Sequence, residues 1–338
     1  MYPWYEAYVE FLAPSPDRIA FVLAYPGEDL EAIFPFNKIE KRRFRPRGWG
    51  LQSPRHSHMN LQDVVLNSHL EHRSLLSELF QFLNEHLDYG CDVINFGNVL
   101  EDSATLQLLR GDHSLRTTVF PTGFCDYLPV LSEEDLLNVV SRNFRGNLRK
   151  ARNRLAKRAE VEFLSARAPD TLQQYFPYFL EVEASGWKGA SGTRSAIKLH
   201  PSLTAFYGQL LERFGNEKRC EINLLKVDGC VIAGQFALIV GQTMYILKIG
   251  YDEQYAECAP GNLLLSHVLD RLSTEDGVRH VNLITDAAWH TSWRPLRYQV
   301  FDCSCYSSSP MGRLLFIYRH LRRQMSSLRR SFPTLSVG

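Results

Sequence analysis

Five places in this sequence carry residue types whose spacing suits chemistry. His290 lies between Trp289 and Trp293, and an imidazole that titrates near neutral pH can serve as a general base. A lone histidine among aromatic side chains serves equally well as packing. Tyr251, paired with Asp252 at the end of an apolar run, could hand a proton to a leaving group or simply pack its ring. Glu183 could draw a proton through water, or be a solvated carboxylate on a helix. Trp187-Lys188 opens a Gly-rich stretch, Ser185 to Ile197. There a ring could stack on a substrate and an ammonium could meet an anion, although a loop Trp that caps a core looks the same.

The fifth place is Ala259-Pro260-Gly261-Asn262, just ahead of a Leu-rich helical stretch. Proline suits the first turn of a helix, where its missing N–H is not needed. Glycine there lets another group come close to the backbone. The N–H groups of such a turn bind phosphate well, but the same residues also make a plain strand-to-helix turn. No metal chemistry is expected. The seven cysteines are scattered, with no C-x-x-C, and Cys303 and Cys305 alone fall short of the roughly four ligands of a zinc site. Reduced, mostly buried thiols in a reducing compartment are expected.

The elements that must position these groups follow from periodicity. Ile19 to Tyr25 is a strand-length apolar run closed by Pro26-Gly27, and Leu30 to Phe36 would return as its hairpin partner. Lys41 to Gly50 is a basic, Pro/Gly-broken loop, Ser74 to Leu87 has helical spacing and Cys91 to Phe96 reads as a strand. Glu133 to Arg158 reads as one long helix with Ser132 as its N-cap. Within it, Ser141 to Arg158 holds eight basic residues and no acidic one. Helices are expected over Leu172 to Glu183 and Leu199 to Phe214. Strands are expected over Cys220 to Val227, Cys230 to Val240 and Thr243 to Ile249, the first two joined by an Asp228-Gly229 turn of type I′. Gly250 would mark a bulge. A helix over Asn262 to Leu272, strands at His280 to Ile284 and Gln299 to Cys305, and a basic amphipathic helix from Met311 to Arg330 complete the pattern. This order makes the chain α+β, with a mixed sheet.

The 338 residues suit two domains of roughly 150 residues each. Net charge is +1, which excludes a partner bound through overall charge while leaving local basic patches open. The N-terminus does not read as a signal peptide, and no apolar run reaches membrane-span length. The expected location is the cytoplasm, with peripheral contact at the inner membrane face through the C-terminal helix as an extension of it.

Glu221 to Leu265 then carries a resemblance. Gly229 with Ile232-Ala233, Tyr251-Asp252, and Ala259-Pro260-Gly261 before Leu263-Leu264-Leu265 resemble the GNAT-type domain of BioF2-like, CelD-like acetyltransferases related to FemAB. Glu183 to Gly189 (EASGWKG) resembles that family's E-x-S-x-W-K-G element, and the Arg142 to Arg158 helix resembles the one preceding its domain. The likeness runs from about 140 to 305 and is weak over 1 to 135. It implies tandem GNAT-like domains, the C-terminal one a complete GNAT fold. The implied division is 1–140, a basic linker helix at 141–160, an acyltransferase domain at 161–310, and a C-terminal helix and tail at 311–338. One departure stands out. Where the family has a Gly and then a Lys, this chain has Thr285 and His290, within Thr285 to Trp293.

The resemblance implies an N- or O-acyltransferase in which the acceptor attacks the donor directly. The donor would be acetyl-CoA or another acyl-CoA. Its pyrophosphate would lie on Ala259, Pro260, Gly261 and Asn262, and its carbonyl would be polarised by the strand end Lys248, Ile249 and Gly250. His290, Tyr251 and Glu183 are the proton-transfer candidates, and Trp187, Lys188, Asp286 and Trp289 the acceptor-binding ones. A small-molecule or glycan acceptor from polysaccharide, envelope or secondary-metabolite biosynthesis is expected. Two other readings stay open. One is a Fem-type transferase using aminoacyl-tRNA held by the basic helix. The other is a non-catalytic GNAT-like protein that binds membrane or nucleic acid.

Overall fold

The computed structural model describes residues 2–13, 15, 19–25, 27–38, 49–67, 74–88, 90–157 and 160–331. Most of the expected basic loop at 41–50 lies outside them, as does the tail from 332. In chain order the elements are α1 (Tyr2–Ala7, continued by a π-turn to Leu12), β1 (Ile19–Ala24), β2 (Ala32–Lys38), β3 (Gly50–Gln52), β4 (Val65–Leu66), α2 (Leu75–His86), β5 (Val93–Leu100), α3 (Ala104–Gly111) and β6 (Arg116–Pro129). Then come α4 (Glu133–Val139), α5 (Arg142–Ala156), β7 (Val161–Ala166), α6 (Pro169–Glu183), α7 (Pro201–Asn216), β8 (Cys220–Val227), β9 (Cys230–Val240), β10 (Thr243–Tyr251), α8 (Pro260–Thr274), β11 (His280–Asn282), β12 (Leu296–Tyr306) and α9 (Pro310–Ser331). The fold is mixed α/β, as the periodicity indicates.

Contacts divide the chain into two compact units, residues 1–13 with 124–297, and 14–123 with 298–338. The boundary falls within β6 and within β12.

In the unit built from 1–13 and 124–297, the strand order is β6–β11–β10–β9–β8–β7. Asp228 and Gly229 both have positive φ (50° and 77°), as a type I′ hairpin requires, and they set β8 against β9 with Val227 opposite Cys230. The β10–β11 pair is parallel, and α8 supplies the crossover such a pair needs. One face of the sheet, through Ala233, Ala237, Met244 and Ile246, is covered by Leu263, Leu264, Val268, Leu269 and Leu272 of α8 and by Ala151 and Leu155 of α5. The opposite face meets α6 and α7, where Phe179 and Tyr207 pack on Phe236.

The expected single helix from Glu133 to Arg158 is two. Val140 is extended (ψ 157°), and a second cap, the Ser141 side chain accepting from Phe144 N, starts α5. Ser132 caps α4 in the same way.

The other unit orders its strands β1–β2–β3–β5–β12, with β4 also on β2. The β1–β2 hairpin is antiparallel, with Ala24 opposite Ala32. Phe34, Phe36, Leu76, Leu79, Phe80, Ile94, Phe96 and Leu106 form the core with Cys303 and Cys305. None of the seven cysteines is in a disulfide, and only Cys230 is exposed. Burial pushes the Cys91 and Cys303 thiols up to about 12, which makes them packing groups rather than nucleophiles.

Candidate active site

The site begins with a strand that loses its neighbour. β10 pairs with β9 along its whole length, from Thr243 opposite Val240 to Tyr251 opposite Ala233. It pairs with β11 only at Thr243, Met244 and Tyr245. β11 stops at Asn282, and Ile284 takes a left-handed φ of 67°, which a β-branched residue adopts only under constraint. The bulge in β10 falls between Ile246 and Lys248, earlier than the expected Gly250. From Ile246 to Tyr251 β10 therefore has no strand beside it on the β11 side among the described residues, and backbone N–H groups of that edge can meet a ligand.

Gly250 has a different role from the expected bulge. A Cβ there would stand 2.3 Å from Glu183 Cα, so glycine lets the end of α6 lie directly on β10.

A short 3-10 turn (Glu253–Cys258), capped by the Asp252 side chain, leads from β10 to α8. Ala259 enters α8 with φ 45° and no side chain caps the turn. Ala259 N bonds Ala256 O, Pro260 has no N–H and Asn262 N bonds Ala259 O, which leaves the Gly261 N–H for another acceptor. Pro260 is buried at the first helical position. Asn262 Oδ1 accepts from Trp293 Nε1 at 3.0 Å. This bond ties the first turn of α8 to the segment after β11, so both lie at the open end of the β10–β11 pair. Phe144 of α5 packs edge-on against Trp293.

The Gly-rich segment after α6 is a folded loop fixed to the end of β10. Trp187 N donates to Glu253 Oε1 at 2.9 Å, and Lys188 Nζ donates to Ile249 O at 2.7 Å. Gly192 lies against the Trp187 carbonyl, where a Cβ would stand 1.9 Å from its oxygen. Glu183 is 2 % exposed and has both oxygens engaged, one by Lys188 Nζ at 3.1 Å and the other by Ile197 N at 2.9 Å. The Trp187 ring is left 57 % exposed above this frame, and Tyr251 is exposed beside it.

Lys248 lies largely buried within electrostatic reach of Lys188 and Glu183. Among the described residues no carboxylate forms an ion pair with it. Burial, and then repulsion from Lys188, pull its ammonium down to about 8, against a smaller opposing pull from Glu183.

On the other side of β11 a buried dyad appears that sequence reasoning did not find. His290 is 2 % exposed, and its Nδ1 stands 2.9 Å from Asp126 Oδ2. Asp126 comes from β6, whose backbone exchanges bonds with Leu283 and Thr285 just past the end of β11. Arg297 Nε lies 2.9 Å from the second carboxylate oxygen, which accepts no regular hydrogen bond. Burial lowers the His290 pKa below the usual histidine value, and Asp126 opposes that shift. Trp289 packs edge-on against the imidazole and is half-exposed, and Asp286 is exposed. His290 and Asp126 are 164 residues apart, and nothing in the TGFCDYLP stretch of β6 signals a pairing partner. Among the described residues no group of three or more His, Cys, Asp or Glu side chains is placed to hold a metal ion.

Comparison with known proteins bears on the fold that carries these residues. Residues 142–294 match the family model described as an acetyltransferase (GNAT) domain. Among solved structures, FemX superposes with a TM-score of 0.59 at 10% identity, over 93% of this chain and 93% of its own. The C-terminal domain of a putative lysylphosphatidylglycerol synthetase from Agrobacterium fabrum gives 0.53 at 11% identity, over 93% and 94%. L-PGS from Bacillus licheniformis gives 0.52 at 14%, over 89% and 88%. At these identities the likeness is one of fold. No curated protein sequence matches the chain. Residues 142–294 thus match a GNAT acetyltransferase domain, and the chain shares its fold with these solved structures.

Proposed function

We propose that this protein transfers an acyl group, acetyl being the simplest, from acyl-CoA to an amine or hydroxyl of a small-molecule or glycan acceptor. The observation that carries the proposal is the parting of β10 from β11 beside the uncapped first turn of α8. The donor's pyrophosphate would rest on that turn, through the backbone of Ala259 to Asn262. Its thioester carbonyl would meet backbone N–H on the open edge between Lys248 and Gly250. The acceptor's lone pair attacks the carbonyl carbon, the new C–N or C–O bond forms, and the C–S bond breaks. The acceptor proton goes to His290, poised by Asp126, and Tyr251 supplies a proton to the departing thiolate.

Trp187, Trp289 and Asp286 would line the acceptor side. Lys188, held by Glu183, would keep the loop on β10 and leave Lys248 to meet an acceptor anion. The unit built from 14–123 and 298–338 is proposed as a second, degenerate GNAT-like domain; α5, expected from the sequence as a linker, lies instead within the unit built from 1–13 and 124–297. The proposed setting is the cytoplasmic side of the cell.

A second reading is an aminoacyl transfer from aminoacyl-tRNA. The likeness to the FemX fold and the exposed Arg142, Arg149, Lys150 and Arg152 of α5 favour it. Native mass spectrometry and thermal shift with acetyl-CoA and longer acyl-CoAs separate the two. Stabilisation by about 2–3 kcal/mol at a hundredfold excess over Kd is expected. If no acyl-CoA binds while aminoacyl-tRNA does, the second reading holds.

A further inference from the structure

Helix α9 presents apolar residues on two sides. Its inner side docks on its own unit: Leu315 is 1 % exposed against Val93 and Tyr306, and Phe316 packs edge-on against Tyr306. The inner cations are also occupied. Arg319 Nη1 donates to Asn95 Oδ1 and Ser304 Oγ at 2.6 and 2.7 Å, and the Arg323 guanidinium lies 3.5 Å over the Phe120 ring. The outer side is the unusual one. Leu314, Ile317, Tyr318 and Leu321 recur at i, i+3, i+4 and i+7, and are 47, 52, 39 and 51 % exposed. At about 100° per residue they form a single stripe, with the exposed Arg313 and Arg322 roughly 90° to either side of it. From Pro310 to Gly338 the sequence contains six arginines and no Asp or Glu.

We propose that this outer stripe of α9 is a docking surface for an anionic lipid bilayer, on which the helix lies in the plane of the headgroups. The four side chains enter the acyl boundary, and Arg313 and Arg322 reach up to lipid phosphates at its two margins. The charge pattern selects this occupant, because basic flanks with no acidic residue complement an anionic leaflet. Size argues against a second copy. Leu314 to Leu321 spans about 10 Å, and the stripe exposes on the order of 300–400 Å². A stable dimer needs about 800 Å² per partner. No helix among the described residues is long and apolar enough to cross a membrane, so the contact is peripheral. This proposal goes beyond the transfer reaction and stands whether or not the acyl-CoA reading does.

Co-sedimentation of the full chain with vesicles tests it, using phosphatidylcholine alone and phosphatidylcholine with phosphatidylglycerol. Binding about tenfold or more stronger to the anionic vesicles is expected, weakening as salt screens the arginines. The Ile317→Glu/Leu321→Glu variant should lose that binding, while Arg313→Ala/Arg322→Ala should weaken it and flatten its salt dependence. Both change exposed side chains, so circular dichroism and the thermal midpoint should match the parent. Equal binding to both vesicle types, no binding, or parent-like binding by the double-Glu variant overturns the proposal. So does a dimer in sedimentation velocity that the double-Glu variant abolishes while vesicles bind neither protein, which assigns the stripe to a second copy.

Discussion

His290 stands where the family resemblance anticipates a lysine, and the structure supplies what an imidazole needs there. An isolated buried histidine is a weakened base, because burial disfavours its charged form. Asp126 offsets this by accepting from Nδ1 and stabilising the imidazolium, and it fixes which nitrogen is left to receive a proton. Since burial is the larger effect, the folded-state pKa lies below the unfolded one. On acidification through about 6.5 the unfolded chain takes up the proton first, so the contribution of His290 to stability is complete above that pH and falls away below it. With His290 as the proposed base, the same ordering should place the acidic limb of the rate profile below the usual histidine value. Asp126→Asn removes the opposing charge, so the limb should move to still lower pH while kcat falls about a hundredfold. Initial rates across pH check both changes. A loss of rate with an unmoved limb would make Asp126 a packing residue.

At the level of elements, local signals specified what local chemistry decides. The Asp228-Gly229 hairpin formed as read because two consecutive positive φ angles need those residue types. α8 begins at Pro260, beside the turn singled out in the sequence. β6 was missed because Pro121 and Gly123 interrupt its 14 residues, and both argue against a strand when only neighbours are read. With β6 unseen, Asp126 had no place to be and the dyad was invisible. The break at Val140 was also hidden, since helical spacing continues across it while Ser141 is an equally good cap.

A second element-level feature depends wholly on tertiary pairing. Glu221 of β8 is completely buried and is gripped by Arg167, just past β7, and by Arg271 of α8. Both arginines also reach Glu275, at the end of α8. The network locks α8 to the strands at the end far from its first turn. Removing one partner from a buried ion pair leaves charge unmatched, so Glu221→Gln should lower stability by about 3–5 kcal/mol. Urea unfolding monitored by tryptophan fluorescence would show the change as a shifted midpoint with unchanged slope. A shift below about 1 kcal/mol would mean that solvent already screens both arginines.

For the molecule as a whole, the discontinuous units give a prediction about its first residues. Residues 1–13 belong with 124–297 although more than a hundred residues separate them. Tyr5, Ala7, Tyr8 and Leu12 are buried, Trp4 packs edge-on against Phe206 of α7, and Glu6 pairs with Arg213 at 3.3 Å. Helix α7 in turn carries Tyr207 against Phe236, on the sheet face opposite α8. The N-terminal segment therefore completes the outer layer over α7. Two or three large side chains buried at about 1.5–3 kcal/mol each make its removal cost on the order of 5 kcal/mol. That is comparable with the whole stability of many domains. Deleting residues 2–12 should accordingly lower the unfolding midpoint, speed hydrogen exchange in α7, and leave core amides of the 14–123 and 298–338 unit protected. Hydrogen exchange resolved by peptide distinguishes the outcomes. Uniform loss of protection in both units would show that they unfold together, and unchanged protection in α7 would show that α1 contributes nothing to its stability.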